Sequence, residues 1–161
     1  MSTTEKNHWV FRAHVLDRAG ALTSIASAFS NEGVSIDTVV GHGSEFLAGT
    51  DGSVVLTFCC SEDDKDKMVR KVKRLSKVTR LEEHPYESQS LRKSALILAN
   101  RELKPADVVG DKAFLTSELV KSNTHGWTYL LAGSPTDLDP VLERLEATGV
   151  VIDIIYSVLS L

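Results

Sequence analysis

The sequence predicts an α+β protein built from two small units, each with the order βαββαβ. Three observations lead to this expectation. Apolar and polar residues alternate in the predicted strands, apolar residues follow helical spacing in the predicted helices, and the whole order occurs twice along the 161 residues. A βαββαβ order is typical of ferredoxin-like folds, so we expect two tandem ferredoxin-like units.

The first unit is the clearer of the two. We expect strands at 9–16, 34–40, 53–60 and 78–83. Helices are expected to begin at Leu22 and after Ser61. Gly33 stands where a helix C′ glycine belongs. Ser61 and Asp64 resemble a capping box, with Asp in place of the usual Glu.

The second unit repeats the order with weaker signals. Its expected strands and helices are strands at 95–100, 117–121, 127–132 and 150–158, with helices at 105–115 and after Thr136. Gly110 interrupts the first of these helices, and Gly149 ends the second. Pro140 is expected in the first turn of the second helix or just past it, where proline costs least. The domain boundaries we expect are a disordered tail at 1–7, the first unit at 8–84, a linker at 85–91 and the second unit at 92–161.

Composition and charge exclude several classes of function. The formal net charge of −4 argues against a general nucleic-acid-binding role. No apolar run approaches the ~20 residues that span a bilayer. The two cysteines, Cys59 and Cys60, are adjacent in a predicted strand and point to opposite faces, so we expect neither a disulfide between them nor a shared metal. We expect a cytoplasmic protein that binds neither membrane nor nucleic acid.

The turn between the first predicted strand and helix has the sequence Asp17-Arg-Ala-Gly-Ala-Leu22. Free N–H groups and the positive end of the helix dipole attract carboxylates and phosphates to a helix N-terminus. Gly20 allows close approach to the backbone, and the Asp17 carboxylate can hold an ammonium group. An anion site beside such an acceptor suits a free amino acid.

A simpler interpretation is that Gly20 only permits a tight turn and that Asp17 only caps the helix. The corresponding turn of the second unit, which starts at Asn100, has no glycine and is followed by proline, so we expect the site in the first unit. The start of the second strand is expected within reach of the turn, either in the same sheet or across a paired sheet. The ligand-binding residues we predict are Asp17, Ala19, Gly20, Ala21, Leu22, Val34, Ser35, Ile36 and Asp37.

The sequence contains no pattern that predicts catalysis. The five histidines are scattered without metal-ligand spacing, and the serines lack a G-x-S-x-G motif. Neither a Walker motif nor G-x-G-x-x-G is present. We therefore predict no catalytic residues, no metal and no cofactor; an enzyme built on a ferredoxin-like fold is the weakest alternative.

The residues from Val15 to Asp37, VLDRAGALTSIASAFSNEGVSID, resemble the start of ACT domains, the small ligand-binding modules of amino-acid metabolism. The chain from about residue 8 to 161 resembles the regulatory small subunits of acetolactate synthase, also called acetohydroxyacid synthase. In the second half, the segments that carry this resemblance are LRKSALIL from Leu91 and YLLAGS from Tyr129. Asp17 and Ser35 stand where that family usually has asparagine.

The resemblance implies a non-catalytic protein for feedback control of branched-chain amino-acid biosynthesis. Its ACT domains would pair side by side in a homodimer and bind an amino-acid effector, such as valine, leucine or isoleucine, at the interface. The implied protein partner is the catalytic large subunit of acetolactate synthase. The alternative is a stand-alone tandem ACT regulator, similar to glycine-cleavage repressors, that acts on a transcription factor or on another amino-acid enzyme.

Overall fold

The computed structural model describes residues 5–16, 18–43, 51–109 and 115–161, with the side chains of Arg18 and Ala19 left out. The chain divides into two compact units, Met1–Tyr86 and Glu87–Leu161, and the division falls within the segment predicted as a linker. The strands and helices of the first unit are β1 (Asn7–Val15), α1 (Arg18–Asn31), β2 (Ile36–His42), β3 (Gly52–Cys60), α2 (Glu62–Lys73) and β4 (Val78–Pro85). β1 begins at Asn7, the last residue of the predicted tail, whose residues 1–4 lie outside the described chain.

The first unit contains a four-stranded antiparallel sheet with the order β2-β3-β1-β4. Alternation decides which face of β1 is buried: Phe11, Ala13 and Val15 pack into the core with residues of α1 and α2. The core is centred on three aromatic rings in edge-to-face contact. The ring centroid of Phe58 lies 4.7 Å from that of Phe11 and 4.9 Å from that of Phe29.

The predicted helix ends are confirmed in the first unit. Gly33 has a φ of 67°, and α1 ends in a Schellman motif, in which Val34 N–H donates to the Phe29 carbonyl at 3.1 Å and Gly33 N–H to that of Ser30 at 3.0 Å. Ser61 is the N-cap of α2, and its hydroxyl accepts from the Asp64 N–H at 3.1 Å. The start of α1 differs from the prediction: the helix begins at Arg18, four residues before Leu22.

The second unit repeats this plan with one element reduced. Its elements are β5 (Arg92–Ala99), a 3₁₀ turn (Pro105–Val108), β6 (Thr116–Asn123), β7 (Gly126–Gly133), α3 (Pro135–Ala147) and β8 (Val151–Leu159). The sheet order, β6-β7-β5-β8, matches that of the first unit. The core is formed by apolar residues of β5, β7 and α3, and Trp127 packs against it. The α+β class with two tandem ferredoxin-like units is confirmed.

Two details of the second unit differ from the sequence-based expectation. The helix predicted at 105–115 is a single 3₁₀ turn that ends at Val108, and residues 110–114 lie outside the described chain. The N-cap of α3 is Ser134 rather than Thr136, because Pro135 takes the first helical position, which favours proline. Pro140 is the sixth residue of α3, just past its first turn, as predicted.

Candidate functional site

The turn between β1 and α1 is very short. β1 ends at Val15, α1 begins at Arg18, and the Leu16 N–H donates to the Lys77 carbonyl at 3.0 Å. That hydrogen bond ties the end of β1 to the segment between α2 and β4. Asp17, the predicted ammonium acceptor, lies outside the described residues.

The first turn of α1 supplies backbone donors. The first intrahelical hydrogen bond involves the fourth helical N–H, so the groups left without a helical partner belong to Arg18, Ala19 and Gly20. Ala19 and Gly20, two of the predicted ligand-binding residues, belong to this set, and the predicted Ala21 is the next residue along the helix. Ala21 is fully buried in the core, whereas the Leu22 side chain is 42% exposed beside this turn.

Lys77 is a residue of this region that the sequence did not indicate. A Cβ built on Gly20 would lie 1.7 Å from Lys77 Nζ, so the lysine amine occupies the space that a side chain at position 20 would take. Gly20 is thus a place of close approach between α1 and a cation. Fifty-seven positions separate Gly20 from Lys77, so local sequence patterns do not signal this contact.

The other predicted half of the site lies at the start of β2. Val34 is buried and Ile36 packs against the core, whereas Ser35 and Asp37 are exposed. The Asp37 carboxylate lies 3.6 Å from His8 Nε2.

Within one unit the two halves lie at opposite ends of the sheet. Ile36 pairs with Phe58, and Phe58 pairs with Trp9, whereas the turn follows Val15 at the other end of β1. Six residues of β1 separate these levels, which corresponds to about 20 Å. The structure therefore brings Gly20 and Lys77 together but does not bring either of them to Ser35 or Asp37 of the same chain.

The corresponding turn of the second unit is filled by its own polar contacts. Arg101 forms two hydrogen bonds to the Asp107 carboxylate, at 2.8 and 3.1 Å, and the Lys104 N–H donates to the same carboxylate at 2.7 Å. The Leu103 N–H donates to the Tyr129 hydroxyl at 3.0 Å. These contacts use backbone groups that a ligand at this turn would need.

A network of charged side chains occupies the face of the first sheet that points away from the helices. His14 Nε2 lies 3.0 Å from Glu82 Oε2, and Arg12 Nε donates to the Ser53 hydroxyl at 3.1 Å. Hydrogen bonds from His14 and then from Arg80 lower the pKa of Glu82 to about 2. These side chains form hydrogen bonds with one another, which is typical of a network with a structural role.

Metal and thiol chemistry find no support in the described part of the chain. There, no three His, Cys, Asp or Glu side chains are grouped so that they could hold a metal ion. Both cysteines are free, and burial raises the pKa of Cys60 to about 11, which keeps it a thiol. None of the described helices is long and apolar enough to cross a membrane.

Comparison with known proteins supports the fold. No protein-family model matches the sequence, and no curated protein matches it. Among solved structures, the regulatory subunit of aspartate kinase from Thermus thermophilus is 10% identical with a TM-score of 0.48, and the match covers 90% of this chain and 94% of that chain. The small subunit of acetolactate synthase from Thermotoga maritima is 14% identical with a TM-score of 0.67, and the match covers 98% of this chain and 96% of that one. The likeness expected from the sequence is confirmed: both units of this chain share their fold with an acetolactate synthase small subunit along nearly its whole length.

Proposed function

We propose that this protein is a non-catalytic regulatory subunit of the ACT type, which binds a free branched-chain amino acid and controls an acetolactate synthase. The observation that carries this proposal is the likeness to one small subunit of that enzyme across both units, 98% of this chain and 96% of the other. The regulation would be feedback control of branched-chain amino-acid biosynthesis.

The effector is an α-amino acid in this proposal. Its carboxylate would accept from the free N–H groups at the start of α1 and from the Lys77 ammonium, which approaches Gly20. Asp17 would hold the ammonium group. Leu22 and Ile36 of a second copy would contact the aliphatic side chain, which favours valine, leucine or isoleucine.

A complete site requires two copies in this proposal. The turn and the start of β2 lie about 20 Å apart within one sheet. Antiparallel pairing of two β2 edges would extend each sheet and would bring the β2 start of one copy towards the turn of the other. Ser35 and Asp37 would then belong to the partner's half of the site.

Effector binding would regulate by stabilising this pair of units. A ligand shifts an equilibrium only by its differential affinity for the two states. An amino acid held between two copies binds the paired state alone, so pairing supplies that difference. The protein partner that responds to the paired state would be the catalytic large subunit of a thiamine-diphosphate-dependent synthase.

Calorimetric titration with valine, leucine and isoleucine tests the effector site. Lys77→Met should weaken the binding of the preferred amino acid about tenfold or more, because a charge-assisted hydrogen bond to the carboxylate is lost. Lys73→Met is the matched control: it removes the same charge from the exposed end of α2 and should leave affinity unchanged. The absence of heat and of a thermal shift with every proteinogenic amino acid would rule out the effector.

Affinity capture from the native host tests the partner. The tagged full chain should retain a thiamine-diphosphate-dependent synthase and change its rate, while the purified chain alone shows no turnover. Capture of a transcription factor, or of another amino-acid enzyme, would instead support the stand-alone ACT regulator.

A further inference from the structure

The sheet of the second unit has a face that α3 does not cover, here called the open face. Three large apolar side chains on it are exposed to solvent: Leu96 (41%), Val120 (49%) and Ile155 (70%). They line a shallow concavity of about 690 Å³ together with Leu98 and Thr128. Exposed apolar side chains that lie together on an uncovered sheet face are a feature of association sites.

The strand register arranges the open face in rows that run across all four strands. One row reads Lys121, Thr128, Leu98 and Asp153 from β6 to β8, so a cation stands at one edge and an anion at the other. The neighbouring row reads Glu118, Leu130, Leu96 and Ile155, and it is apolar except at its exposed first residue.

This arrangement of charge is self-complementary under a two-fold rotation. An axis parallel to the strands and midway between β7 and β5 exchanges the β6 edge with the β8 edge. The row from Lys121 to Asp153 would then lie opposite the same row of the second copy, which runs in the reverse direction. Each lysine would face an aspartate. In the neighbouring row Leu130 and Leu96 would cover one another, and Glu118 would lie at the edge, opposite Ile155 of the second copy.

We propose that the open face of the second unit is a self-association surface, on which a second copy of this chain packs face to face about that axis. The packing would be of the aligned type, with the twist of each sheet setting the strands about 30° apart. The two Lys121–Asp153 pairs fix the orientation, because the opposite arrangement would place like charges together. This surface belongs to the second unit alone, so it is independent of effector binding in the first.

The size of the face indicates a modest affinity. Four strands about 4.8 Å apart and roughly 26 Å long cover about 500 Å² on each copy, or about 1,000 Å² in total. That area lies at the lower end of specific interfaces. We therefore expect association that depends on concentration in the micromolar range.

Sedimentation equilibrium of the full chain, without added amino acid and from about 1 to 100 µM, tests the proposal. Val120→Glu and Leu119→Glu form a matched pair: the two residues are neighbours on β6 and each is 49% exposed. Leu119 pairs with the core residue Tyr129 and so lies on the opposite face of the sheet. Val120→Glu should weaken association at least tenfold, and Leu119→Glu should leave it unchanged.

A charge exchange tests the orientation. Lys121→Asp and Asp153→Lys should each weaken association about tenfold, because each places two like-charged pairs across the two-fold axis. The double variant should restore the wild-type association constant, since it re-creates both oppositely charged pairs with the two charges exchanged.

The same measurements can overturn the proposal. A chain that is monomeric at 100 µM would overturn it. Equal weakening by Val120→Glu and Leu119→Glu would also overturn it, as would a double charge variant that associates no more tightly than the single variants. Because no amino acid is present, a failure of effector binding would leave these results intact.

Discussion

The two units share one topology but stabilise their first crossover in different ways. In the first unit the crossover is the 14-residue helix α1, whose Ala21, Ile25 and Phe29 are buried. In the described part of the second unit, the only regular element between β5 and β6 is a 3₁₀ turn of four residues without a buried side chain. Leu103 and Val108 pack partly buried against the core, and polar contacts of Arg101, Asp107 and Arg144 add to this attachment.

This difference shows that the order of strands and helices does not determine what a crossover contributes. Burial of apolar side chains gives the first crossover a large, pH-independent stabilisation. Partly exposed ion pairs typically contribute less than 1 kcal/mol each. The second crossover should therefore be the weaker, and its stability should depend on the charge of a few groups.

Removal of the aromatic anchor of the first crossover should have the largest effect. Phe29→Ala is expected to lower the free energy of unfolding of the first unit by about 3–5 kcal/mol, because it deletes one of three rings in mutual contact and leaves a cavity. Arg101→Met in the second crossover should have a much smaller effect, because solvent screens an exposed ion pair.

Each unit carries its own reporter for this measurement, since Trp9 lies in β1 and Trp127 in β7. Urea unfolding is followed by fluorescence in backgrounds that keep one tryptophan, made with Trp9→Phe or Trp127→Phe. Phe29→Ala should shift the transition reported by Trp9 and leave that of Trp127 in place. Equal shifts of both transitions would show that the units unfold together, and they would contradict a separate contribution of each crossover to its own unit.

The helix ends provide the opposite case, in which the two units should respond alike. Gly33 and Gly149 have φ angles of 67° and 72°, and a Cβ at either would meet no other atom within 4 Å. Substitution by alanine should therefore cost only the strain of the left-handed conformation, about 1 kcal/mol in each unit. α3 ends like α1, in a Schellman motif: the Val150 N–H donates to the Leu145 carbonyl at 3.2 Å and the Gly149 N–H to that of Glu146 at 3.0 Å. The same single-tryptophan unfolding experiment checks the prediction, and a difference of more than about twofold between the units would contradict the equivalence of the two motifs.

Sequence reasoning succeeded where structure is locally encoded. Alternation located the strands, and Gly33 and Gly149 marked helix ends because a left-handed residue is needed there. The N-cap at Ser61 could be predicted because Asp64 stands three positions later, as in a capping box. Ser134 was not predicted although Pro135 signals it, and Thr136 is also a residue type that favours the N-cap position.

Features that depend on distant residues could not be predicted. The segment after Pro105 has a proline at a helix start, yet it continues only to Val108, where hydrogen bonds from Arg144 on α3 hold the backbone carbonyls of Asp107 and Val109. The approach of Lys77 to Gly20 likewise arises from the pairing of β4 with β1. The separation of the turn from Ser35 follows from sheet register, which no single segment encodes.

Acid titration should have the smallest effect, and it reports on the second crossover alone. Hydrogen bonds from Arg101 and then from the Lys104 N–H lower the pKa of Asp107 from 3.8 to about 2. The pKa in the folded state is below that of the unfolded chain, so this stabilisation is complete above pH 3.8 and is lost as the pH falls towards 2. Amide exchange at Lys104, measured by NMR and corrected for the intrinsic rate, should accelerate over that interval.

Two variants separate this carboxylate from the rest of the molecule, in particular from Glu82, whose pKa is also about 2. Asp107→Asn should remove the pH dependence of Lys104 exchange. Arg101→Met should move the loss of protection towards pH 4, because the group that contributes most to lowering the pKa is gone. A Lys104 amide whose protection stays constant from pH 5 to 2 in the wild-type chain would mean that apolar contacts, as in the first unit, hold this crossover too.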